Sequence, residues 1–288
     1  MDRLGVLYAV LAYGSWGLFP LYWKLLHQVS AVQILSHRLL WSSVLLLVIL
    51  FWQQRWPELD KLLRQPKSAL PLLGSASILT VNWGIYIYGV NSGRVVETSL
   101  GYFINPMVNV LLGVIVLRER LQRGQWLAVA LAAGGVGYAV YAMEQIPWIA
   151  LSLAVSFGIY GLLRKLIKVP PLVGLALETS WLAPLALLYL LLQPNQLFGA
   201  QVTPTLLLLG AGIVTSFPLF CFSAAAQRLP LSTMGFFQYL APSLQLLLGV
   251  WLYKEPFTQQ HFILFGCIWT ALLIYSIATL SPKPAPET

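Results

Sequence analysis

Long apolar runs broken by short polar stretches set the pattern of this chain from end to end. The hydrocarbon core of a bilayer is roughly 30 Å thick, and an α-helix crosses it in about 20 residues. Runs of that length predict ten membrane spans, near residues 4–23, 32–52, 69–90, 96–117, 125–143, 147–166, 171–192, 204–225, 231–252 and 260–280. Pro57, Pro66, Pro147, Pro170, Pro204 and Pro230 fall in or beside the breaks, where helix-stopping residues belong. The first run is too long for the apolar core of a signal peptide and lacks a small-residue cleavage site, so it reads as a retained helix. The polar, Pro-rich "SPKPAPET" at 281–288 reads as a short tail.

The pattern also repeats. "NPMVNVLLGVIVLRE" (105–119) aligns with "APSLQLLLGVWLYKE" (241–255) at an offset of 136, matching Pro106 to Pro242, Gly113 to Gly249 and Glu119 to Glu255. Near the start of each half, Ser15-Trp16-Gly17 followed by Lys24 matches Ser156-Phe157-Gly158 followed by Lys165, at an offset of 141. Spans 1–5 therefore recur as spans 6–10. Five is odd, so the second copy enters the membrane in the opposite orientation, the inverted-repeat plan of many secondary transporters. The expected fold class is an all-α integral membrane protein of ten transmembrane helices, with repeats at 1–143 and 144–280.

Composition strengthens this reading. Hydrophobic residues make up 58% of the 288 and charged residues only 9%, against roughly 25% charged in soluble domains. The net charge of +8 sits mostly in short loops. With the N-terminus inside, thirteen of the 17 Lys and Arg residues fall on inside segments, Arg164, Lys165 and Lys168 among them. Only Lys24, Arg38, Arg94 and Lys254 fall outside. This asymmetry predicts that both termini are cytoplasmic. Basic-aromatic patches of the nucleic-acid kind are missing, so no nucleic-acid partner is expected. Cys221 and Cys267 lie in apolar runs and read as packing residues.

Missing motifs narrow the chemistry. No lysine follows a glycine, so there is no ATP-binding phosphate loop. There is no H-E-x-x-H, C-x-x-C or G-x-S-x-G, and the two aspartates, Asp2 and Asp60, lie outside the apolar runs. No cofactor, metal site or catalytic set is expected, and the chain reads as a non-enzyme. Two competing readings stay open: a membrane enzyme acting on lipid-linked substrates, with Glu178 and His37 as its only acid-base candidates, and a non-transporting assembly or sensor protein. The oligomeric state is not legible.

Several stretches carry a likeness: "SHRLLW" (36–41), "SLGYFINPMVNVLLGVIVLRERL" (99–121), "QWLAVALAAGGV" (125–136), "SFGIYGLLRK" (156–165), "ETSWLAPLALLYL" (178–190) and "STMGFFQYLAPSL" (232–244). Through them the chain resembles the EamA branch of the drug/metabolite transporter superfamily, and within it the RarD-like proteins, over essentially its whole length. The resemblance implies two inverted five-helix halves around a central cavity, in the bacterial inner membrane. It also implies export of small organic metabolites, amino acids or toxic compounds. Its partners would be a small-molecule substrate and the lipid bilayer. It carries over no set of binding residues.

Candidate site residues come from spacing. Thr98, Tyr102, Asn105 and Asn109 share one helical face, continued by Gly113. Pro106 removes one backbone hydrogen bond within that helix and leaves a carbonyl for water or substrate. The second half repeats the stripe with Gln238 for Tyr102, Gln245 for Asn109, Gly249 for Gly113 and a kink at Pro242, with Tyr239 beside it. Polar groups in a membrane face protein or a water-filled cavity. The stripes are thus either two walls of a substrate pathway or bridges between neighbouring helices. Ser15, Trp16, Asn82, Trp83, Tyr86 and Tyr160 offer further lining for a flat apolar substrate, or ordinary core.

Arg38 and Glu178 occupy related positions, each three residues before a tryptophan (Trp41, Trp181) and about 10 Å inside its membrane face. Glu178, a buried carboxylate without an evident partner, is a candidate for proton coupling or gating, with a structural ion pair as the alternative. Arg38 either attracts an anionic substrate group or snorkels outward. His37 beside it is a weaker candidate for titration. Glu119 and Glu255, next to Arg118 and Lys254, are expected to form ion pairs at the interface. The function expected overall is a secondary exporter working by alternating access, proton-coupled if Glu178 titrates.

Overall fold

Among the described residues of the computed structural model, 2–26, 28–91, 95–141, 147–193, 198–252 and 259–280, every regular element is a helix. They are α1 (Arg3–Trp23), α2 (Ala31–Trp52), α3 (Trp56–Leu63), α4 (Pro66–Asn91), α5 (Val95–Ile115), α6 (Arg123–Tyr141), α7 (Trp148–Leu166), α8 (Pro171–Leu192), α9 (Val202–Arg228), α10 (Leu231–Gln238), α11 (Leu240–Leu247) and α12 (Gln259–Leu280). Eight segments among the described residues are long and apolar enough to cross a membrane. They lie in α1, α2, α4, α7, α8, α9, the composite Leu231–Leu252 and α12. The two other expected spans correspond to the shorter apolar stretch Leu100–Ile115 of α5 and to α6, whose glycines and Gln125 dilute its apolar character.

Local chemistry sets several boundaries. Asp2 Oδ1 accepts from the backbone N–H groups of Leu4 and Gly5 and so caps α1. Ser30 Oγ accepts from Gln33 N and caps α2. The connection between the second and third spans holds α3, which is too short to cross a bilayer. It buries Leu59 and Leu62 and carries Glu58 in its first turn and Lys61 in its last, charges that suit the helix dipole.

The two related prolines act differently. α5 runs through Pro106 without interruption. The span around Pro242, expected to be one kinked helix, instead breaks into α10 and α11 at Tyr239. Pro242 has no N–H to give the carbonyl of Gln238 four residues back. The turn tightens there, with Tyr239 N bonding Phe236 O at 3.2 Å. The chain then widens into a π-turn over Leu248–Leu252.

The helices pair in a regular way. α1 packs on α9 and α11, α7 on α4 and α5, α2 on α9, and α8 on α4. The pairs α2–α8, α5–α10 and α6–α12 complete the set. Exchanging α1 with α7, α2 with α8, α4 with α9, α5 with α10–α11 and α6 with α12 carries each of these pairs onto another or onto itself. Small residues permit the closest crossings. A Cβ on Gly212 would lie 2.6 Å from the Trp41 backbone, and one on Gly235 would lie 2.7 Å from the Pro106 carbonyl. Both cysteines are free, Cys221 in the core and Cys267 against Gly135.

Candidate functional site

Asp2 Oδ2 pairs with Arg228 Nη1 at 3.1 Å, which places the start of α1 and the end of α9 at one face of the bundle. We call it the near face. Just inside it, Arg164 in the last turn of α7 and Glu178 in the second turn of α8 form an ion pair at 3.3 Å. They are 1% and 2% exposed. Ser75 of α4 donates to the same carboxylate oxygen, Oε1, and Arg164 Nε donates to Ser223 Oγ of α9 at 3.0 Å. Gly174 makes the room, since a Cβ there would lie 2.7 Å from Arg164 Nη1. Four helices thus meet on one buried charge pair. Arg164 Nη2 and Glu178 Oε2 have no hydrogen-bond partner among the described residues, so the pair is only partly compensated for its lost hydration.

This arrangement corrects two expectations. Arg164 is no loop charge: the last turn of α7 aims its side chain into the bundle rather than toward the water interface. Glu178 therefore does have a partner. The sequence carried one usable signal, because Arg164 falls inside the predicted span 147–166.

The near face is tied in other places. Glu119 was expected to pair with a neighbouring cation, but it caps α10. Its Oε1 accepts from Leu231 N at 2.7 Å, and its Oε2 accepts from Ser232 N at 3.0 Å and Ser232 Oγ at 2.6 Å. The bare N–H groups at a helix start outcompete a solvated side-chain cation for this carboxylate. Lys165 Nζ donates to the Leu229 carbonyl at 2.5 Å. Glu255 and Lys254 lie outside the described residues.

Above this layer, at mid-depth, sit packed aromatic rings. Tyr160 stacks on Phe222 with centroids 5.7 Å apart, and Trp16 lies against Tyr13 at 5.4 Å and Phe157 at 5.9 Å. Tyr13, Tyr160 and Phe222 are fully buried. Ser15 bonds back to the Leu11 carbonyl of its own helix, and Gln245 Nε2 donates to the Trp16 carbonyl. These rings form one packed cluster between α1, α7 and α9.

Arg38 stands apart from this cluster, toward the far end of the bundle. Arg38 lies about 10 Å in from the far face, and its Nε donates to Thr215 Oγ1 at 2.9 Å. Aromatic rings surround its guanidinium carbon, with centroids at 4.9 Å for Trp23, 5.4 Å for Trp83 and 5.9 Å for Phe19. The phenols of Tyr86 and Tyr102 lie within range of its charge. Tyr86 is 37% exposed and Tyr102 44%, yet protein surrounds both rings. We take the accessible faces of these two rings, beside Arg38, as the lining of a chamber. Arg38 therefore turns inward, not out along the membrane. Beside it His37 is buried, with Nδ1 accepting from Trp41 Nε1 at 3.1 Å and the imidazole lying against Phe198.

The predicted lining residues divide between these places. Trp83, Tyr86, Tyr102 and Arg38 come together at the chamber. Asn105, Asn109 and Gln238 do not. They are buried, and Asn109 Nδ2 donates to Gln238 Oε1 at 2.7 Å and to Asn105 Oδ1 at 3.2 Å. Asn105 Nδ2 donates to the Ala154 carbonyl at 2.6 Å. The amides thus bridge α5, α7 and α10 instead of walling a pathway. Asn82 does the same between α4 and α7, donating to the Leu153 carbonyl and Ser156 Oγ. Tyr239, fully buried, donates to the Phe103 carbonyl at 3.3 Å, next to the Tyr102 carbonyl that Pro106 leaves without its helical donor. The side chain of Thr98 and the surroundings of Gly249 lie outside the described residues. Sequence reasoning missed Phe19, Trp23 and Thr215, which look like ordinary members of apolar runs. A groove of about 590 Å³ between α4 and α7, lined by residues such as Ile78, Val81, Val155 and Ile159, lies on the outer surface and takes no part in the chamber.

The sequence profile of the EamA-like transporter family matches this chain twice, over residues 3–141 and 146–277. Uncharacterized transporter YojE of Bacillus subtilis is 44% identical, across 99% of this chain and 98% of that protein. Protein RarD of Salmonella typhimurium is 45% identical, across 95% and 94%. Chloramphenicol-sensitive protein RarD of Pseudomonas aeruginosa is 31% identical, across 94% and 92%. A solved crystal structure superposes with a TM-score of 0.73 at 18% identity, covering 95% of this chain and 97% of that one, which shows a shared fold.

Proposed function

The chain belongs to the EamA-like transporter family, and on that premise we propose that it is a secondary exporter of small organic metabolites or amphipathic drug-like compounds. It works by alternating access across the bacterial inner membrane, with both termini cytoplasmic. The observation that carries this reading is the order of layers along the bundle: an open aromatic chamber at Arg38, a packed aromatic cluster, and a sealed near face at Arg164 and Glu178. That is the arrangement of a transporter caught open to one side. In this reading the chain is two inverted five-helix repeats, and the two profile matches and the exchange relation among helix pairs support this division. Exchanging the roles of the halves gives the opposite state.

Glu178 is the gating and coupling group in this scheme. Its Oε1 holds Arg164 and Ser75 while its Oε2 is free of partners among the described residues. Protonation there weakens the hold on Arg164 and loosens the four-helix junction. The chain acts without catalysis of its own, in keeping with relatives named as transporters. The test is counterflow in proteoliposomes, screened over amino acids, organic acids, nucleobases and phenicol drugs, with and without a pH gradient. Flux of at least one class is expected. No flux from correctly folded protein would move the reading to an assembly or sensor role. A Glu178→Gln variant with unchanged pH-dependent transport would remove the coupling step alone.

A further inference from the structure

We infer that the solute taken by this chamber is an organic anion: a single carboxylate on a flat apolar body, without an ammonium group. The inference rests on the transporter reading above and adds the substrate class. Arg38 makes one side-chain hydrogen bond among the described residues, from Nε to Thr215. No described acceptor meets either Nη group, and no described acidic side chain pairs with it. A guanidinium inside a membrane without a counter-charge is costly, and elsewhere in this same bundle Arg164 has its carboxylate. The rings of Trp23, Trp83 and Phe19 stabilise the charge through their faces. Ring faces are weak acceptors, and no described oxygen accepts from the Nη groups, so that edge keeps its strong hydrogen-bonding capacity for a planar oxyanion, which a guanidinium grips with two parallel hydrogen bonds.

The chamber also selects the body of the solute. Tyr86 and Tyr102 meet edge-on with centroids 6.2 Å apart and, with Trp83, present broad apolar surfaces beside the cation. A flat hydrocarbon portion packs there, and a polar sugar or phosphate-rich solute does not. The described carboxylates, Asp2, Glu58, Asp60, Glu119 and Glu178, all belong to the near half or its surface, so a ligand ammonium finds no counter-charge among them at Arg38. Zwitterionic amino acids are therefore poorer ligands than the corresponding acids.

The test uses purified full-length protein with benzoate, benzamide, phenylalanine and benzylamine as probes. Binding is read by quenching of tryptophan fluorescence and uptake by proteoliposome flux. Benzoate is expected to bind at least tenfold more tightly than the other three. Arg38→Gln is expected to erase that preference, and Arg38→Lys to keep part of it. Trp83→Leu, which keeps Arg38 but removes one of the rings facing it, is expected to weaken benzoate and benzamide both and to leave benzoate the tighter ligand. Glu97→Gln, at a position whose side chain lies outside the described residues, is expected to leave the benzoate preference within twofold. Equal binding of benzoate and benzamide, or benzoate binding undiminished in Arg38→Gln, overturns the inference. So does a phenylalanine preference that depends on Glu97. If Arg38→Gln fails to fold, loss of the benzoate preference in Trp83→Leu, which retains Arg38, counts against it. Arg38-dependent benzoate binding without flux would leave the anion site standing and remove the transporter reading. Flux of another class that ignores Arg38 would do the reverse.

Discussion

Two arginines share this bundle and are treated in opposite ways. Arg164 is sealed against Glu178 beneath Gly174, with Ser75 and Ser223 completing its shell. Arg38 stands in a chamber of aromatic rings, held by one threonine, with no described carboxylate near it. Both are guanidinium groups inside the membrane, so residue chemistry does not separate them. Their surroundings do. A charge supplied with its own partner ties helices together, whereas a charge supplied only with ring faces is left to meet something that arrives from outside. The near half of the molecule is built on the first principle and the far half on the second.

The comparison breaks most visibly at the ion pair. Arg164→Ala leaves a buried carboxylate alone and is expected to cost about 3–5 kcal/mol, read as a lower unfolding temperature in detergent. Replacing Arg164 and Glu178 together by leucine is expected to recover most of that loss, since an apolar pair needs no hydration. A double variant as unstable as the single one would show that the junction depends on charge itself. Next in size is Glu119→Ala, which frees two backbone donors and one hydroxyl at the start of α10. It is expected to cost about 1.5–3 kcal/mol, with the near face becoming reactive to thiol reagents at an introduced Ser232→Cys.

Arg38→Gln sharpens the contrast from the other side. Its stability is expected to stay within about 1 kcal/mol of the parent, because a partly open arginine with one neutral partner contributes little net binding of helix to helix. A drop as large as that of Arg164→Ala would mean that Arg38 is structural after all. The smallest effect belongs to Asp2. The Gly5 N–H bond, followed by the Arg228 hydrogen bond, holds its carboxyl below the usual range. A lowered folded value makes the contribution complete above the unfolded value of roughly 4 and lost as the pH falls through the folded one. A slight acid-side fall in unfolding temperature, missing in Asp2→Asn, is the expected result.

Much of the architecture was legible in the pattern of apolar runs, because hydrocarbon thickness fixes helix length. The family likeness was legible too, since it rests on long stretches such as 99–121. The site was harder to read for specific reasons. Helical spacing placed Asn105 and Asn109 on one face but did not say whether that face meets a helix or a cavity, and Gln238 fills the space with hydrogen bonds. Counting charges by loop treated Arg164 as an interfacial cation, although a last-turn residue can point inward. Phe19 and Trp23 were invisible as lining, since an aromatic in an apolar run looks the same whether it faces lipid, core or chamber. Pro106 and Pro242 looked equivalent, yet α5 runs on through Pro106 while the later span breaks at Tyr239 ahead of Pro242, a difference that helical spacing does not encode.

The carboxylate of Glu119 grips backbone that is made 112 residues later. At about 5–20 residues per second, translation leaves it waiting for roughly 6 to 22 seconds after it emerges. Through that interval the first five helices sit in the bilayer with an unanswered charge at their rim. That rim closes only when the start of α10 arrives. The contact that holds the near face shut thus forms late in biogenesis, with only α11 and α12 of the helices above still to follow α10, and a chain truncated before Leu231 would expose that defect to the cell's membrane quality control.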